Sequence, residues 1–294
     1  MRFHYHRPAT LGEALELLAG AGPARRPIAY GSDLLVWTKT GTRRPDDVVD
    51  LTGIPELLRI EEIDGDLVIG AGARLADLGR HPLVREHCPV LAKSVAVMGS
   101  VQLREGASLG GNVCTASPAG DTAPALLVAE ARMLVTSTKG TRHVPARDFY
   151  TGPGTTVVGP GEVLTAVALP RLPPGAVGTF RKGSRRAAVD LALVSVAGVA
   201  FPDAAAPSGV ALRLALGAVA PTPVRAAPAE DLVRCAGLPE SPDDELGCTF
   251  AAAARSAARP IDDVRATAAY RLELVGVLAA RVAAELRAAL EANR

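Results

Sequence analysis

The chain has 294 residues, of which 48% are apolar, and its 32 lysines and arginines nearly balance its 31 aspartates and glutamates. This length exceeds one ordinary hydrophobic core, so two or three packed units are expected. The balanced charge excludes a broad basic surface for nucleic acid or anionic membranes, and no apolar run is long enough to span a bilayer. Because the N-terminus has no signal-peptide pattern, the sequence predicts a cytoplasmic protein.

The pattern of residues 1–55 predicts a small unit of the βαβ type. Thr10 and Glu13 have the spacing of a capping box, in which the hydroxyl accepts from the Glu13 amide and the carboxylate reaches back. An amphipathic helix follows and ends over Gly20–Pro23. The other elements are an N-terminal strand that carries His4 and His6, strands at Pro27–Tyr30 and Asp47–Leu51, and a helix or turn at Leu34–Thr40.

The pattern of residues 56–175 predicts a second unit that begins with a hairpin. An Asp64-Gly65 turn joins the two alternating segments, Leu58–Ile60 and Leu67–Ala71. Helices are predicted at Leu75–Leu78, Leu83–His87, Pro89–Val97 and Ala123–Glu130. A second hairpin through Lys139-Gly140 pairs Met133–Ser137 with Thr141–Pro145.

Residues 176–294 follow a break at Pro173–Ala176, where proline and glycine crowd together. Three strands of a meander are predicted at Val177–Arg181, Leu191–Phe201 and Gly209–Val219. Helices are expected at Ala229–Ala236 and over the final run, whose apolar face is Leu272, Val275, Leu278, Val282, Leu286 and Leu290. We therefore expect domains at 1–175, with subdomains of about 1–55 and 56–175, and at 176–294.

The segment Ser108–Asp121, SLGGNVCTASPAGD, is the most informative part of the chain. Gly110 and Gly111 lack a Cβ, so the backbone there is free to take positive φ and to turn its amides toward an anion. Directional hydrogen bonds to a ligand are expected from Ser108, Asn112, Thr115 and Ser117. Asp121 precedes a predicted helix, so it either caps that helix or accepts from a ligand hydroxyl.

An earlier loop, Ile28–Leu34, has the sequence IAYGSDL and follows a predicted strand. The chain has no G-x-G-x-x-G turn, because Gly70-Ala-Gly72 lacks the third glycine. A dinucleotide would therefore have to lie between this loop and the Ser108–Asp121 segment, at a boundary between subdomains.

Together these motifs resemble the FAD-binding subunit of molybdenum hydroxylases, the family of carbon monoxide dehydrogenase and xanthine dehydrogenase flavoproteins. In this family, the loop that corresponds to Ser108–Asp121 has the form T-I-G-G-N-x-x-x-A-S-P-x-x-D. The loop that corresponds to Ile28–Leu34 has the form A-G-G-[ST]-[DE]-[LI]. Further blocks in family order are Phe149–Gly154, Phe180–Arg186, Arg213–Arg225 and Asp263–Arg271. The resemblance spans the chain and implies an α+β fold: a two-subdomain FAD-binding domain of the vanillyl-alcohol-oxidase-like (PCMH) type, followed by a C-terminal antiparallel sheet with helices.

The resemblance also implies the cofactor, FAD, and the residues that hold it. The first loop would contribute Ala29, Tyr30, Gly31, Ser32, Asp33 and Leu34. The second would contribute Ser108, Gly110, Gly111, Asn112, Thr115 and Asp121, while Leu164 and Lys182 match positions near the adenine and flavin ends. Tyr30 departs from the family glycine. The alternative interpretations are helix caps for Asp33 and Asp121 and a solvated surface residue for Lys182.

The implied role is electron transfer. In the family, a large molybdopterin subunit hydroxylates the substrate, a small subunit with two [2Fe–2S] clusters relays electrons, and the FAD subunit passes them to an acceptor such as NAD, a quinone or oxygen. Two alternatives remain: a stand-alone FAD-dependent dehydrogenase or oxidase that acts on a small organic substrate, and an FAD-free scaffold. Covalent attachment is disfavoured because the first loop has no His or Cys, although Cys114 lies in the second.

No catalytic residue or metal site is evident in the sequence. The histidines lie apart, no G-x-S-x-G elbow occurs, and no C-x-x-C pair is present. The scattered cysteines are expected to be reduced thiols: Cys88, Cys114, Cys235 and Cys248. Arg104 and Glu105 replace the usual Arg-Asn of the family, and we expect them to pair with each other or with a neighbouring aspartate.

Overall fold

The computed structural model describes residues 2–19, 24–186 and 188–293. Its first unit contains β1 (His4–His6), α1 (Leu11–Ala19), β2 (Arg25–Ile28), α2 (Leu34–Lys39) and β3 (Asp47–Asp50). The strands form a parallel sheet in the order β1-β3-β2, which confirms the βαβ prediction. Strand β2 lies two residues earlier than predicted, and the chain leaves the sheet at Ala29 to form a loop. The helix end predicted at Gly20–Pro23 lies outside the described residues.

Helix α1 begins with most of the predicted capping box. The Glu13 amide donates to Thr10 Oγ1 at 3.2 Å, and the Glu13 carboxylate accepts from the Ala9 amide at 2.8 Å. The carboxylate therefore reaches one residue further back than the usual motif requires.

The second unit is built on an antiparallel sheet. In chain order it contains β4 (Ile60–Ile63), β5 (Asp66–Gly70), α3 (Leu75–Arg80), α4 (Pro82–His87), α5 (Pro89–Ala96), α6 (Val101–Glu105), α7 (Leu109–Thr115), α8 (Thr122–Val128), β6 (Arg132–Ser137), β7 (Gly140–Pro145), α9 (Ala146–Phe149), β8 (Tyr150–Gly152), β9 (Thr155–Thr156) and β10 (Val163–Leu169). The sheet order is β4-β5-β10-β6-β7, so both predicted hairpins are present and β10 lies between them. A 3-10 turn at Pro55–Leu58 precedes the sheet.

The central strand β10 was not predicted. Every residue of its sequence, VLTAVAL, is buried, because the strand is paired on both sides and covered on both faces. Such a strand shows no alternation of apolar and polar residues, which is the pattern that identifies half-exposed strands.

The third unit contains the predicted meander. Its strands are β11 (Val177–Gly183), β12 (Val194–Pro202), β13 (Val210–Gly217) and β14 (Val224–Arg225), paired in that order. Its helices are α10 (Ala227–Ala236), α11 (Glu245–Ser256) and α12 (Ala268–Ala292). Helix α12 packs its predicted apolar stripe on the sheet, whereas the alanine-rich α11 was not predicted.

The hydrophobic core is not divided at residue 175. Four buried residues of the third unit pack into the core of the second: Phe180, Ala197, Val199 and Ala215. The first unit instead has a small cluster of its own, which reaches the second unit through Leu57 and Val163. The seam between the first and second units therefore contains few buried apolar groups, and polar contacts lie along it.

Candidate functional site

The segment Ser108–Asp121 begins a helix and not a left-handed turn. Ser108 caps α7, because its Oγ accepts from the Gly111 amide at 3.0 Å. Gly110 and Gly111 do not use their freedom to take positive φ. Gly110 serves close packing, since a Cβ there would lie 2.6 Å from the Ala71 Cβ and 2.8 Å from the Ala71 carbonyl oxygen. The glycine therefore lets α7 lie directly against the segment that follows β5.

The first amides of α7 are already hydrogen-bonded within the protein. Leu109 donates to the carbonyl of Ala73 at 2.9 Å, and Gly110 donates to that of Ala71 at 2.7 Å. The Gly111 amide is engaged by Ser108. These amides can contact a phosphate only by giving up bonds that they make in the protein. The geometry therefore disfavours the predicted anion cradle at the backbone of Gly110 and Gly111.

The loop of residues 29–34, here called the first loop, has the opposite character. Gly31 has φ +80°, and a Cβ there would lie 2.8 Å from the Leu35 side chain. Among the described residues, no protein acceptor takes a hydrogen bond from the amides of residues 30–34. A run of free N–H groups around a left-handed glycine forms a concave donor surface of the kind that binds anions.

The first loop lies against α7. Asp33 occupies the position before α2 but makes no cap with its side chain, so the capping interpretation is wrong. Its Oδ2 instead accepts from Thr115 Oγ1 at 2.8 Å, and the same hydroxyl lies 2.8 Å from the Gly111 carbonyl oxygen. Two motifs that are far apart in the sequence are therefore in direct contact across the seam.

A buried ion pair lies at the end of the Ser108–Asp121 segment. Lys182 Nζ donates to Asp121 Oδ2 at 2.7 Å, and the two side chains are only 7% and 4% exposed. Lys182 is therefore not a solvated surface residue, and Asp121 makes no cap to α8. Burial raises the pKa of Asp121 to about 6, although the Lys182 ammonium opposes this shift.

The second oxygen of Asp121 has no partner. Oδ1 is buried without a hydrogen bond to any described residue. Buried polar atoms are normally satisfied, so an orphaned carboxylate oxygen suggests that a donor from outside the chain completes it. A hydroxyl or N–H group of a ligand would supply such a donor.

The other predicted site residues are distributed around these contacts. Asn112 Oδ1 accepts from Thr122 Oγ1 at 2.6 Å, which leaves the amide nitrogen of its side chain to donate elsewhere. Tyr30 donates its hydroxyl to the Gly72 carbonyl at 3.3 Å. Leu164 lies in β10 and is 4% exposed, within the core of the second unit.

The pairing predicted for Arg104 and Glu105 is wrong. Glu105 binds Arg80 at 2.8 Å, and Arg104 donates to the Met98 carbonyl at 2.6 Å. Neighbouring residues on a helix point in different directions, so the two side chains of α6 reach different partners.

The part of the chain that the structure describes contains neither a cluster of potential metal ligands nor a helix that could span a membrane. Its His, Cys, Asp and Glu side chains form no group of three or more that could hold a metal ion. All four cysteines are free thiols, as predicted. In the same residues, no helix combines the length and the apolar character needed to cross a bilayer.

Two family models together cover most of the chain. Residues 1–172 match the FAD-binding domain in molybdopterin dehydrogenase, and residues 179–286 match the C-terminal domain of the CO dehydrogenase flavoprotein. The chain belongs to the FAD-binding family of the molybdopterin dehydrogenases. It is an FAD-dependent oxidoreductase, and the resemblance seen in its motifs is thereby confirmed.

Individual relatives support the same conclusion over nearly the whole length. The putative xanthine dehydrogenase FAD-binding subunit of Escherichia coli is 32% identical, with 97% of this chain and 96% of that protein covered. The carbon monoxide dehydrogenase medium chain of Afipia carboxidovorans is 30% identical, with 97% of each covered. The structure of reconstituted CO dehydrogenase from Oligotropha carboxidovorans superposes with a TM-score of 0.91 at 29% identity, and 98% of each chain is covered. These matches favour FAD binding over the FAD-free scaffold.

Proposed function

We propose that FAD binds noncovalently along the seam between the first loop and α7. The residues present fit such a group, since the first loop offers free amides and Asp121 Oδ1 lacks a donor. The proposed contacts are Ala29, Tyr30, Gly31, Ser32, Asp33, Leu34, Ser108, Gly110, Gly111, Asn112, Thr115, Asp121, Leu164 and Lys182. Among these, Gly110, Gly111 and Leu164 would shape the site by packing, since a Cβ on Gly111 would lie 2.9 Å from Ser108 Oγ.

The observation that carries this proposal is the difference between the two sets of amides. Because the amides of α7 are engaged and those of residues 30–34 are not, the diphosphate belongs at the first loop. The side chains of Asn112 and Asp121 then remain for hydroxyls and for the flavin ring, together with the hydroxyl hydrogen of Ser108, whose oxygen already caps α7.

Lys182 and Asp121 form the charged end of the proposed site. When bound, FAD supplies one- and two-electron transfer. The Lys182 ammonium is buried and held by Asp121 at 2.7 Å, so its position is fixed, and the Asp121 carboxylate offsets part of its charge. A cation in this state would stabilise negative charge on a reduced flavin ring and raise its potential.

We further propose that this chain relays electrons inside a larger complex. Its relatives are named as FAD-binding subunits or medium chains of xanthine and carbon monoxide dehydrogenases, which supports a large molybdopterin subunit and a [2Fe–2S] subunit as partners. The proposed acceptor is NAD, a quinone or oxygen. A cytoplasmic location is consistent with the free thiols at all four cysteines.

The same proposal includes a division of labour between domains 1–175 and 176–294. Residues 1–175 would supply both loops of the cofactor site, and the second domain would supply Lys182 from β11. The family models change at residues 172–179, which supports a boundary there.

Gly31→Ala tests the proposed site directly. An alanine at φ +80° is strained and overlaps Leu35, so we expect the Kd of FAD to rise at least about fivefold. Gly65→Ala is the matched control, because Gly65 has φ +83° in open space away from both loops. Flavin titration of both variants measures the effect, and equal affinities would contradict the proposal.

The visible spectrum and the partners of the purified chain test the relay. We expect flavin absorption bands, together with copurification of a molybdopterin subunit and an iron–sulfur subunit. Turnover of a small organic substrate by the isolated chain, with oxygen or NAD, would instead support a stand-alone flavoenzyme.

A further inference from the structure

Tyr30 stands where the family pattern has glycine, yet the backbone there needs no glycine. Tyr30 is not in the left-handed region, whereas the next residue, Gly31, has φ +80°. Within the first loop, Gly31 is therefore the residue whose backbone conformation favours glycine. A tyrosine is accommodated at position 30 without backbone strain, and its side chain is free to take another role.

The Tyr30 hydroxyl crosses the seam between the first and second units. It donates to the carbonyl of Gly72, at an O···O distance of 3.3 Å. Gly72 adjoins Ala71, whose carbonyl accepts from the Gly110 amide at 2.7 Å. Tyr30 thus ties the first loop to the short segment that supports the beginning of α7.

The other end of the first loop is tied to the end of α7. Asp33 Oδ2 accepts from Thr115 Oγ1 at 2.8 Å, two residues after Gly31. The free amides of Gly31 and Ser32 lie between these two attachments. Attachment at both ends restricts the loop along the whole stretch that offers donors to an anion.

The Tyr30 hydroxyl remains a hydrogen-bond donor at neutral pH. Tyr30 is half-buried, and burial raises the pKa of its hydroxyl above the ordinary value. The group therefore keeps its proton throughout the neutral range. A neutral hydroxyl beside a carbonyl also places no negative charge near the proposed diphosphate.

We propose that Tyr30 is a positioning residue for FAD, whose hydroxyl holds the first loop in its binding shape across the seam. This rests on the proposed location of FAD. A loop that is fixed before binding loses less conformational freedom when the ligand arrives, and a larger fraction of molecules is competent to bind. A glycine at this position has no side chain, so it cannot make this attachment.

Tyr30→Phe removes the hydroxyl and keeps the ring. We expect the Kd of FAD to rise about two- to tenfold, the range for loss of one hydrogen bond. Tyr30→Gly, which restores the family residue, should have a larger effect because it also loosens the backbone. Tyr270→Phe is the matched control, since that side chain is 55% exposed in α12.

Coupling with Thr115 separates positioning from general stability. If Tyr30 and Thr115 hold the same loop, Y30F and T115V together should raise the Kd by more than the product of their separate effects, because either attachment alone retains part of the order. Denaturation midpoints of each variant, measured without FAD, report the stability of the fold. A residue that serves only the fold would lower the midpoint and leave the Kd unchanged.

The outcomes distinguish this inference from the proposed function. An unchanged Kd in Y30F, with FAD still bound and with G31A still weakened, overturns the role of Tyr30 alone. Normal FAD affinity in G31A, or no FAD binding by the wild-type chain, overturns the proposed site and with it this inference. A raised Kd in Y30F, together with greater than multiplicative coupling to T115V, supports it.

Discussion

The first loop and the α7 segment look alike in sequence but differ in their hydrogen bonding. Both combine glycine with small polar residues, and both match loops of one family. In the structure, the amides that begin α7 bind Ala73, Ala71 and Ser108, whereas those of residues 30–34 have no protein acceptor in the described chain. A glycine-rich motif can therefore mark close packing as readily as contact with a ligand.

The two regions consequently divide the work of the proposed site. Gly31 supplies a left-handed backbone and free donors, while Gly110 lets α7 approach Ala71. The α7 segment then contributes side chains that are held in place by protein contacts. Substitutions that remove the supports of the Ser108–Asp121 segment should therefore have larger effects than one that removes the contact between the two regions.

Lys182→Met should cause the largest loss of stability, at the end of the Ser108–Asp121 segment. It leaves the Asp121 carboxylate buried without its cation, which costs about 3–5 kcal/mol of unfolding free energy. Chemical denaturation measures this loss, and Arg181→Met is the matched control. Because Arg181 is about half exposed and pairs with Glu285 at the surface, its loss should cost about 1 kcal/mol or less. Adding Asp121→Asn to Lys182→Met should recover part of the stability, and a further loss would contradict the pairing.

The pH dependence of stability should identify Asp121. Its pKa is raised from 3.8 to about 6, so the folded state binds this proton more tightly than the unfolded state does. The resulting contribution is fully present below about pH 4 and is lost as the pH rises through 6. Relative to Asp121→Asn, which cannot titrate, the unfolding free energy should fall by about 2–3 kcal/mol over this range. Parallel curves for the two proteins would show that Asp121 does not titrate there.

Gly110→Ala should separate packing from ligand contact. The added Cβ would meet Ala71 at 2.6 Å, and such overpacking costs about 1–3 kcal/mol of unfolding free energy. Thermal denaturation of the FAD-free protein should show this loss. Gly12→Ala in the first turn of α1 is the matched control, because the nearest atom to its Cβ would be Thr10 Oγ1 at 4.0 Å and no stability should be lost. An unchanged stability in Gly110→Ala would mean that α7 does not need this close approach.

Thr115→Val should have the smallest effect, since it removes one hydroxyl between the two regions. Loss of the bond to Asp33 should cost about 1 kcal/mol, or roughly a fivefold increase in the Kd of FAD. Isothermal titration of the variant with FAD measures it. Thr249→Val on α11 is a control, because Thr249 makes a comparable hydroxyl bond only to the carbonyl of Glu245 within its own helix. Equal effects in the two variants would argue that the bond across the seam has no special part in binding.

The sequence predicted the fold better than the details of the site. Alternation and helical periodicity revealed the two hairpins and α12, because each of these is partly exposed to solvent. The meander was also predicted, although its strand β12 is buried over Val194–Ala200. Strand β10 is buried on both faces, so its sequence carried no such signal. The local pattern of Ser108–Asp121 indicated a ligand site, but the helical conformation of Gly110 depends on Ala71, which is distant in the sequence.

The partner of Lys182 could not be predicted for the same reason. Asp121 lies on a different unit, and the pair forms because β11 brings the lysine to the start of α8. A capping position and a lysine in a strand suggest ordinary surface roles when each is considered alone. Burial of both groups is a tertiary property, and it also produces the raised pKa of the aspartate.

The continuous core between the second and third units limits how this protein can be rearranged. Phe180, Ala197, Val199 and Ala215 fill space among residues that come before the joint at 175. A fragment that ended at residue 175 would leave that space open and expose an apolar surface, which favours aggregation. Exchanging the C-terminal half with that of a relative would require matching changes on the other side, so the two halves are expected to have diversified together and not as interchangeable modules.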